Sequence, residues 1–424
     1  MKAIIDCNSF YCSCEKLFRP EFQHHPVVVL SNNDGCIISR SDEAKQVGID
    51  MAGPYFKARP VIVKNNVAVF SSNYNLYGDM CHRVMATLHT LAPHVEVYSV
   101  DEAFLDVPEN VLQHCRDFGV QVKQRVEQWT GIGVSIGMAA TKVLCKAANR
   151  LAKKNKKGSG GVMVLQTEEA IEAALRETPV DDIWGVGRRY AVKLKDSGIV
   201  NGWQLRNMPE EWARKNLGGI VGVRLIRELN GFPCLELQDP LDHKKMIACT
   251  RMFGSPVYTL TELTEAIATY ASRAAEKLRR QWCNATFMDV FVVSNDHPEN
   301  HYQYNPETIH AYCTLPVASS DTQDLIRHAV SLIRQLYRPG SRYLKAGIVL
   351  SGLVPDNVVQ SNIFLQPEKA KSKKLMEVVD NINASISQDT VKYAVTGIDR
   401  KWKMRQEMKS PRYTSRWGEL KMVN

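Results

Sequence analysis

A chain of 424 residues, 44% hydrophobic and 23% charged, is long enough for roughly three domains that each bury a core. Apolar and polar residues are mixed too evenly for a disordered or fibrous chain, and no run of 18 apolar residues offers a membrane span. The formal net charge is +9, and it is concentrated: from Glu368 to Asn424 there are 13 Lys and Arg against 7 Asp and Glu, an excess of 6, which suits a polyanion or an acidic partner. Asp6 interrupts the apolar opening before a signal core develops, so a cytoplasmic protein is expected. The 11 cysteines are scattered without zinc-ligand spacing and read as reduced thiols.

In chain order, Ala3-Ile4-Ile5 is a short apolar run that ends on Asp6. Strand-like runs follow at Val27 to Leu30, Val61 to Val63, Val95 to Val100 and Gly131 to Met138, with helical stretches at Met80 to Leu91 and Thr141 to Lys154. Lys156-Lys157-Gly158-Ser159-Gly160-Gly161 breaks the second helix, and Val162 to Leu165 closes a first mixed region. Residues 166 to 236 are mostly helical. A second mixed region, 243 to 350, carries helices near Leu260 to Trp282 and Asp321 to Tyr337 and strands near Phe287 to Val293 and Lys345 to Leu350. Past Gly352 the sequence turns irregular, polar and basic, and its removal is expected to leave a folded core.

Three features carry chemistry. Asp101-Glu102 sits between the strand-like Val95 to Val100 and Ala103 to Val107, at a strand junction. If Asp6 joins the pair, three carboxylates about 4 Å apart repel by about 4 kcal/mol per pair at an effective dielectric of 20, so the trio must raise its pKa values or bind cations. Hard oxygen donors favour Mg²⁺ or Mn²⁺. Second, Lys142, Lys146, Arg150, Lys153 and Lys157 recur every three or four residues while Leu144, Ala148 and Leu151 lie on another face, an amphipathic helix with a basic stripe suited to nucleic acid. Third, Val180 to Leu194, with Gly185-Val186-Gly187 followed by Arg188 and Arg189, reads as a helix-hairpin-helix whose backbone N–H groups face a phosphate. Trp184 beside it is expected in the core. Two competing functions remain open: a hydrolase using the Gly-x-Ser-x-Gly pattern Gly133 to Gly137, and a non-catalytic DNA-binding regulator.

The whole set resembles the Y-family translesion DNA polymerases, SOS members included. The likeness rests on Asp6-Cys7-Asn8-Ser9-Phe10-Tyr11, Ser31-Asn32-Asn33-Asp34-Gly35-Cys36, Ser99-Val100-Asp101-Glu102-Ala103-Phe104, Val180 to Gly187 and Ser410-Pro411-Arg412-Tyr413-Thr414. It implies an α+β, multidomain right hand: palm at 1–10 and 72–165, small fingers at 11–71, helical thumb at 166–236, little finger at 243–350 and an interaction region at 351–424. It implies error-prone, template-directed DNA synthesis from dNTPs in the DNA-damage response. Asp6, Asp101, Glu102 and the Cys7 carbonyl would hold two Mg²⁺ ions. Tyr11 would be the steric gate against ribonucleotides, with Phe10 shaping the same pocket. Lys153, Ser39 and Lys45 would contact the triphosphate, although Asp42-Glu43-Ala44-Lys45 stands where many relatives carry Tyr-Glu-Ala-Arg, and Lys for Arg loses the bidentate fork. Gly185, Gly187, Arg188 and Arg189 would hold primer-template DNA. Gln360, Ile363 and Phe364 resemble a sliding-clamp peptide. A UmuD′-like dimer and a RecA filament are the further partners implied, with the enzyme at the nucleoid when acting.

Overall fold

The computed structural model describes residues 1–238, 244–295, 306–358 and 370–420. It forms two compact units, one of residues 1–31, 35–242 and 408–424, the other of 32–34 and 243–407. The strands in chain order are β1 (Lys2–Cys7), β2 (Val27–Leu30), β3 (Ile37–Arg40), β4 (Ala68–Ser71), β5 (Val95–Val97), β6 (Glu102–Asp106), β7 (Val134–Ala139), β8 (Val162–Val164), β9 (Ile247–Val257), β10 (Cys283–Ser294), β11 (Glu307–Ser319) and β12 (Tyr343–Pro355).

In the first unit a five-stranded sheet runs β5-β6-β1-β7-β8 and a three-stranded sheet runs β3-β2-β4. The central β1 is buried along its whole length, which is why its sequence is a continuous apolar run rather than an alternation. Side chains still alternate between its two faces. Ala3 and Ile5 enter a core with Leu76, Tyr77, Val122 and Val126 from helices Tyr74–His89 and Cys115–Thr130. Ile4 enters another with Phe104 and Leu144, Ala148 and Leu151 of helix Lys142–Lys154. Asp6 belongs to the Ile4 face.

Gly137 decides how closely that helix lies on the sheet. It pairs with Ile4, and a Cβ built on it would stand 2.2 Å from the Asn149 nitrogen and 2.3 Å from the Cys145 carbonyl oxygen. Both obstacles are backbone and cannot swing aside. Gly137→Ala must therefore lift helix Lys142–Lys154 off the sheet, at an expected cost of more than about 3 kcal/mol. Chemical denaturation checks this, and a loss under 1 kcal/mol would contradict the close packing.

Helices Glu168–Glu177, Arg188–Asp196, Gly202–Arg206, Glu210–Asn216 and Ile220–Leu229 follow β8. They are fastened to the start of helix Lys142–Lys154 by Glu228, buried at the end of the last helix, which accepts from the Val143 amide (3.3 Å) and from the Cys234 and Leu235 amides that follow it (2.6 and 3.0 Å), while Thr141 Oγ1 donates to its carbonyl (2.7 Å). The second unit is a four-stranded antiparallel sheet, β11-β10-β12-β9, packed on helices Leu260–Arg280 and Thr322–Leu336.

Several expectations are revised. Val61 to Val63 lies inside helix Tyr55–Lys64, despite Pro60 and the β-branched run, because one turn of helix is enough to bury Ile62 with Ala58 and Val61 packed around it. The edge strand β11 adds to the expected strands: Ile309, Ala311, Cys313 and Leu315 alternate toward the second unit's core while His310, Tyr312, Thr314 and Pro316 between them are exposed, and an edge strand tolerates that proline. The chain beyond Gly352 is not an appendage. β12 continues to Pro355, helix Ala370–Ser385 follows, and Trp402 is buried in the second unit's core. Tyr413 is 7% exposed in the first unit's core, its ring stacked on Phe18 at 4.8 Å. Cutting at Gly352 removes core residues from both units.

Candidate active site

Register and pleat bring the carboxylates together. Asp6 is the antiparallel partner of Glu102, two residues along from the Ile4–Phe104 pair, so both carboxylates emerge on the face covered by helix Lys142–Lys154. Asp101 lies in the tight turn before β6. Its carbonyl accepts from the Cys7 amide (2.8 Å), its amide and that of Glu102 donate to Ser99 Oγ (3.3 and 3.1 Å), and its carboxylate accepts from the same hydroxyl (2.6 Å). The strand junction expected at Asp101-Glu102 is thus a turn clamped by Ser99.

The covering helix supplies three residues at i, i+3 and i+7. Lys146 Nζ is 2.7 Å from Glu102 Oε2, Lys153 Nζ is 2.5 Å from Asp6 Oδ2, and Asn149 Nδ2 donates to Asp6 Oδ2 at 3.2 Å. Burial pushes Asp6, 6% exposed, up to about 7 despite Lys153. Burial is the largest single influence on Glu102 and acts against its ionised form, but hydrogen bonds from Lys146 and Asp6 together with the charges of Lys146 and Lys153 outweigh it, and Glu102 is held below its ordinary value. Lys146 lies 4.6 Å over the Tyr98 ring and 5.9 Å from both Phe104 and Trp184, and the Trp184 indole N–H donates to the Tyr98 hydroxyl (3.2 Å). Trp184, expected in the core, is a half-buried wall of this cage. Asn149 and Tyr98 are not singled out as site residues by the sequence, which marks Lys146 only as part of the basic stripe; the i, i+3, i+7 spacing with Lys153 is the signal that contains Lys146 and Asn149.

The basic stripe is largely ion-paired with acids from other elements. Lys142 is buried against Glu96 (2.5 Å), Lys146 and Lys153 hold Glu102 and Asp6, and Arg150 pairs with Asp182. Lys157 stays exposed.

On the other side of β1, helix Phe10–Leu17 starts with the two candidate pocket aromatics. They part company. Phe10 is 3% exposed and packed in the core, its ring 5.8 Å from that of Tyr11. Tyr11 is half-buried, stacked on Tyr77 at 4.6 Å and edge-on to Tyr74 at 6.0 Å. Ser39 is buried, its hydroxyl accepting from the Cys12 amide (3.4 Å). Lys45 is exposed and paired with Asp42 (2.6 Å), which also holds Lys156 (2.5 Å). In the hairpin, Gly185 adopts φ +100° and Gly187 precedes helix Arg188–Asp196, whose first residues Arg188 and Arg189 are exposed. The first arm is a three-residue 3₁₀ turn, Val180–Asp182, not a full helix. Gln360, Ile363 and Phe364 lie outside the described residues.

Among the described residues no three Asp, Glu, His or Cys side chains converge as a ready cation site: the lysines draw Asp6 and Glu102, and Ser99 draws Asp101. The donor set nevertheless fits a hard divalent ion. It offers carboxylate oxygens only, one of them buried enough to resist ionisation, and beside Asp6 the buried Asn149 Oδ1 has no hydrogen-bond partner among the described residues. A hydrolase is excluded by Ser135, which sits inside β7 rather than on a turn and donates to Asn8 Oδ1 (2.8 Å). No helix among the described residues is long and apolar enough to cross a membrane.

Residues 5–150 match the impB/mucB/samB family and residues 244–363 its C-terminal domain, while 373–423 match a domain of unknown function. The chain is 42% identical to Protein UmuC of Salmonella typhimurium over the full length of both, and 39% identical to Protein ImpB of Salmonella typhimurium over 100% of this chain and 99% of the relative. Its fold is similar to that of a Y-family DNA polymerase chimera of Dbh and Dpo4, with a TM-score of 0.66 and 19% identity over 84% of this chain and all of the other. The paired carboxylates, the fold and these likenesses converge: the chain belongs to the impB/mucB/samB family and has the fold of a Y-family DNA polymerase.

Proposed function

We propose that this polymerase carries out error-prone translesion synthesis in the SOS response, adding a nucleotide from a dNTP to a primer 3′-hydroxyl at Asp6, Asp101 and Glu102. The observation that carries this is the cross-strand Asp6–Glu102 pair under Lys146 and Lys153, a carboxylate site that is charge-balanced without substrate. Two Mg²⁺ ions held by the three carboxylates and the Cys7 carbonyl would supply Lewis-acid activation of the primer hydroxyl and charge neutralisation at the departing pyrophosphate. Lys153 then exchanges from Asp6 onto the triphosphate, a short movement for a flexible side chain that is already half-exposed. Tyr11 bounds the sugar. Gly185, Gly187, Arg188 and Arg189 hold a phosphate of the primer-template through an exposed helix N-terminus and charge. Lys45 is positioned at the surface for the outer phosphates. The UmuD′-like dimer, the RecA filament and the sliding clamp, the last through Gln360, Ile363 and Phe364, are the partners this reading adds, in the cytoplasm at the nucleoid.

Primer extension with Mg²⁺ present and absent tests the reading. Extension is expected only with the ion, and DNA affinity should fall by roughly 10²-fold or more between 50 and 200 mM salt if four or more phosphates are neutralised. Metal-independent extension, or a flat salt response, would count against it.

A further inference from the structure

The motif Ser410-Pro411-Arg412-Tyr413-Thr414 is not used by the chemistry above, and it falls in the segment that matches a domain of unknown function. The fold carries it 395 residues back to Glu15. Ser71 and Met408 exchange hydrogen bonds, the Ser71 amide to the Met408 carbonyl and the Met408 amide to Ser71 Oγ, both at 3.0 Å. Asn73 Nδ2 then donates to the Ser410 carbonyl and hydroxyl (both 3.0 Å) and to the Pro411 carbonyl (3.2 Å). These contacts deliver the Ser410 hydroxyl to Glu15 Oε1 at 3.0 Å, where it donates beside the Tyr77 hydroxyl, which donates to the same oxygen at 2.6 Å.

Glu15 is fully buried. Its other oxygen, Oε2, has no hydrogen-bond partner among the described residues, so the two hydroxyls carry its polar satisfaction. Leaving such a group short of partners is costly. Glu15 and Tyr11 are four residues apart on helix Phe10–Leu17 and so lie on one face of it. Tyr77 spans both, its ring stacked on Tyr11 with planes 21° apart and its hydroxyl on Glu15. Ser410, Glu15, Tyr77 and Tyr11 form one continuous chain of contacts.

We propose that Ser410 is a positioning residue of the sugar pocket: through Glu15 it fixes the Tyr77 ring, and the Tyr77 ring fixes the angle of Tyr11. The C-terminal motif is on this view part of the device that selects deoxyribose. The proposal rests on the reading of Tyr11 as the gate against a 2′-hydroxyl.

The test measures kcat/KM for matched ribo- and deoxynucleotides with the full chain. Tyr77→Phe keeps the stacked ring and loses only the hydroxyl; Ser410→Ala loses only the other donor. Each is expected to reduce deoxy-over-ribo preference roughly two- to tenfold, the scale of one hydrogen bond. The double variant should lose less than the product of the two, because both act through one carboxylate. Val126→Ala, a cavity variant in the same core, is the control: it should lower the melting temperature with sugar preference intact. If Tyr11→Ala relaxes sugar preference while Tyr77→Phe and Ser410→Ala do not, the latch is overturned and the gate stands. If Tyr11→Ala itself leaves preference unchanged, the gate reading falls and takes the latch with it. Equal losses for both sugars, matched by Val126→Ala at the same melting temperature, would reduce Ser410 to a structural residue and overturn the proposal.

Discussion

Asp101→Ala and Glu102→Ala are each expected to lower nucleotide incorporation by about 10³-fold or more while primer-template affinity stays within about threefold of the parent. The first figure corresponds to roughly 4 kcal/mol, the scale on which metal-bound carboxylates stabilise charge in a transition state. The second follows from the proposed reading, in which DNA is held by charge elsewhere on the surface. The two substitutions should differ in their structural side effects. Removing Glu102 leaves Lys146, only 16% exposed at its side chain, without its carboxylate partner and inside an aromatic cage, so some stability is lost as well. Among the described residues Asp101 is bonded through its side chain only to Ser99, and its alanine variant should melt close to the parent. Asp101→Ala is therefore the cleaner experiment. Substantial extension by Asp101→Ala, measured by single-turnover incorporation with excess Mg²⁺, would remove the turn at Asp101-Glu102 from the active site.

Tyr11→Ala should raise ribonucleotide insertion by roughly 10- to 100-fold relative to deoxynucleotide insertion. Overpacking one additional group against a rigid wall costs about 1–3 kcal/mol, and removing the wall returns that cost only to the substrate bearing the extra hydroxyl. The wall is rigid here because Tyr11 is stacked on Tyr77 and met edge-on by Tyr74. The same packing gives the competing account its force: deleting a stacked ring also destabilises the unit by several kcal/mol. The two accounts part in the kinetics. Lost packing lowers insertion of both sugars together with the melting temperature, whereas a gate changes their ratio. Tyr11→Phe, which keeps the ring, should retain both stability and sugar preference.

Much of the site was legible because it is written in local pattern. The run Ala3-Ile4-Ile5 needs burial on both faces, which makes β1 central, and Asp6 at its end is then a buried carboxylate that demands partners. Asp101-Glu102 between two β-branched runs reads as a strand junction by alternation alone. What alternation does not contain is partner choice. The basic stripe of helix Lys142–Lys154 has the same period whether it faces a phosphate or a carboxylate. Only the close seat at Gly137 turns its lysines onto Asp6 and Glu102. Phe10 and Tyr11 are adjacent aromatics, equally suited to a pocket, until the start of helix Phe10–Leu17 sends one into the core and the other onto Tyr77. The C-terminal segment was misread as an appendage for the same reason: its core residues, Trp402 and Tyr413, are isolated anchors without a period, and their burial depends on surfaces built by residues hundreds of positions earlier. By itself the sequence determined the short apolar strand that ends on Asp6, helices such as Lys142–Lys154, and the carboxylates that demand a counter-charge, because those follow from side-chain spacing and elementary electrostatics. The tertiary structure alone decided which cation meets which anion and that Ser410 reaches Glu15, because long-range pairing is set by register and packing, which local pattern does not encode.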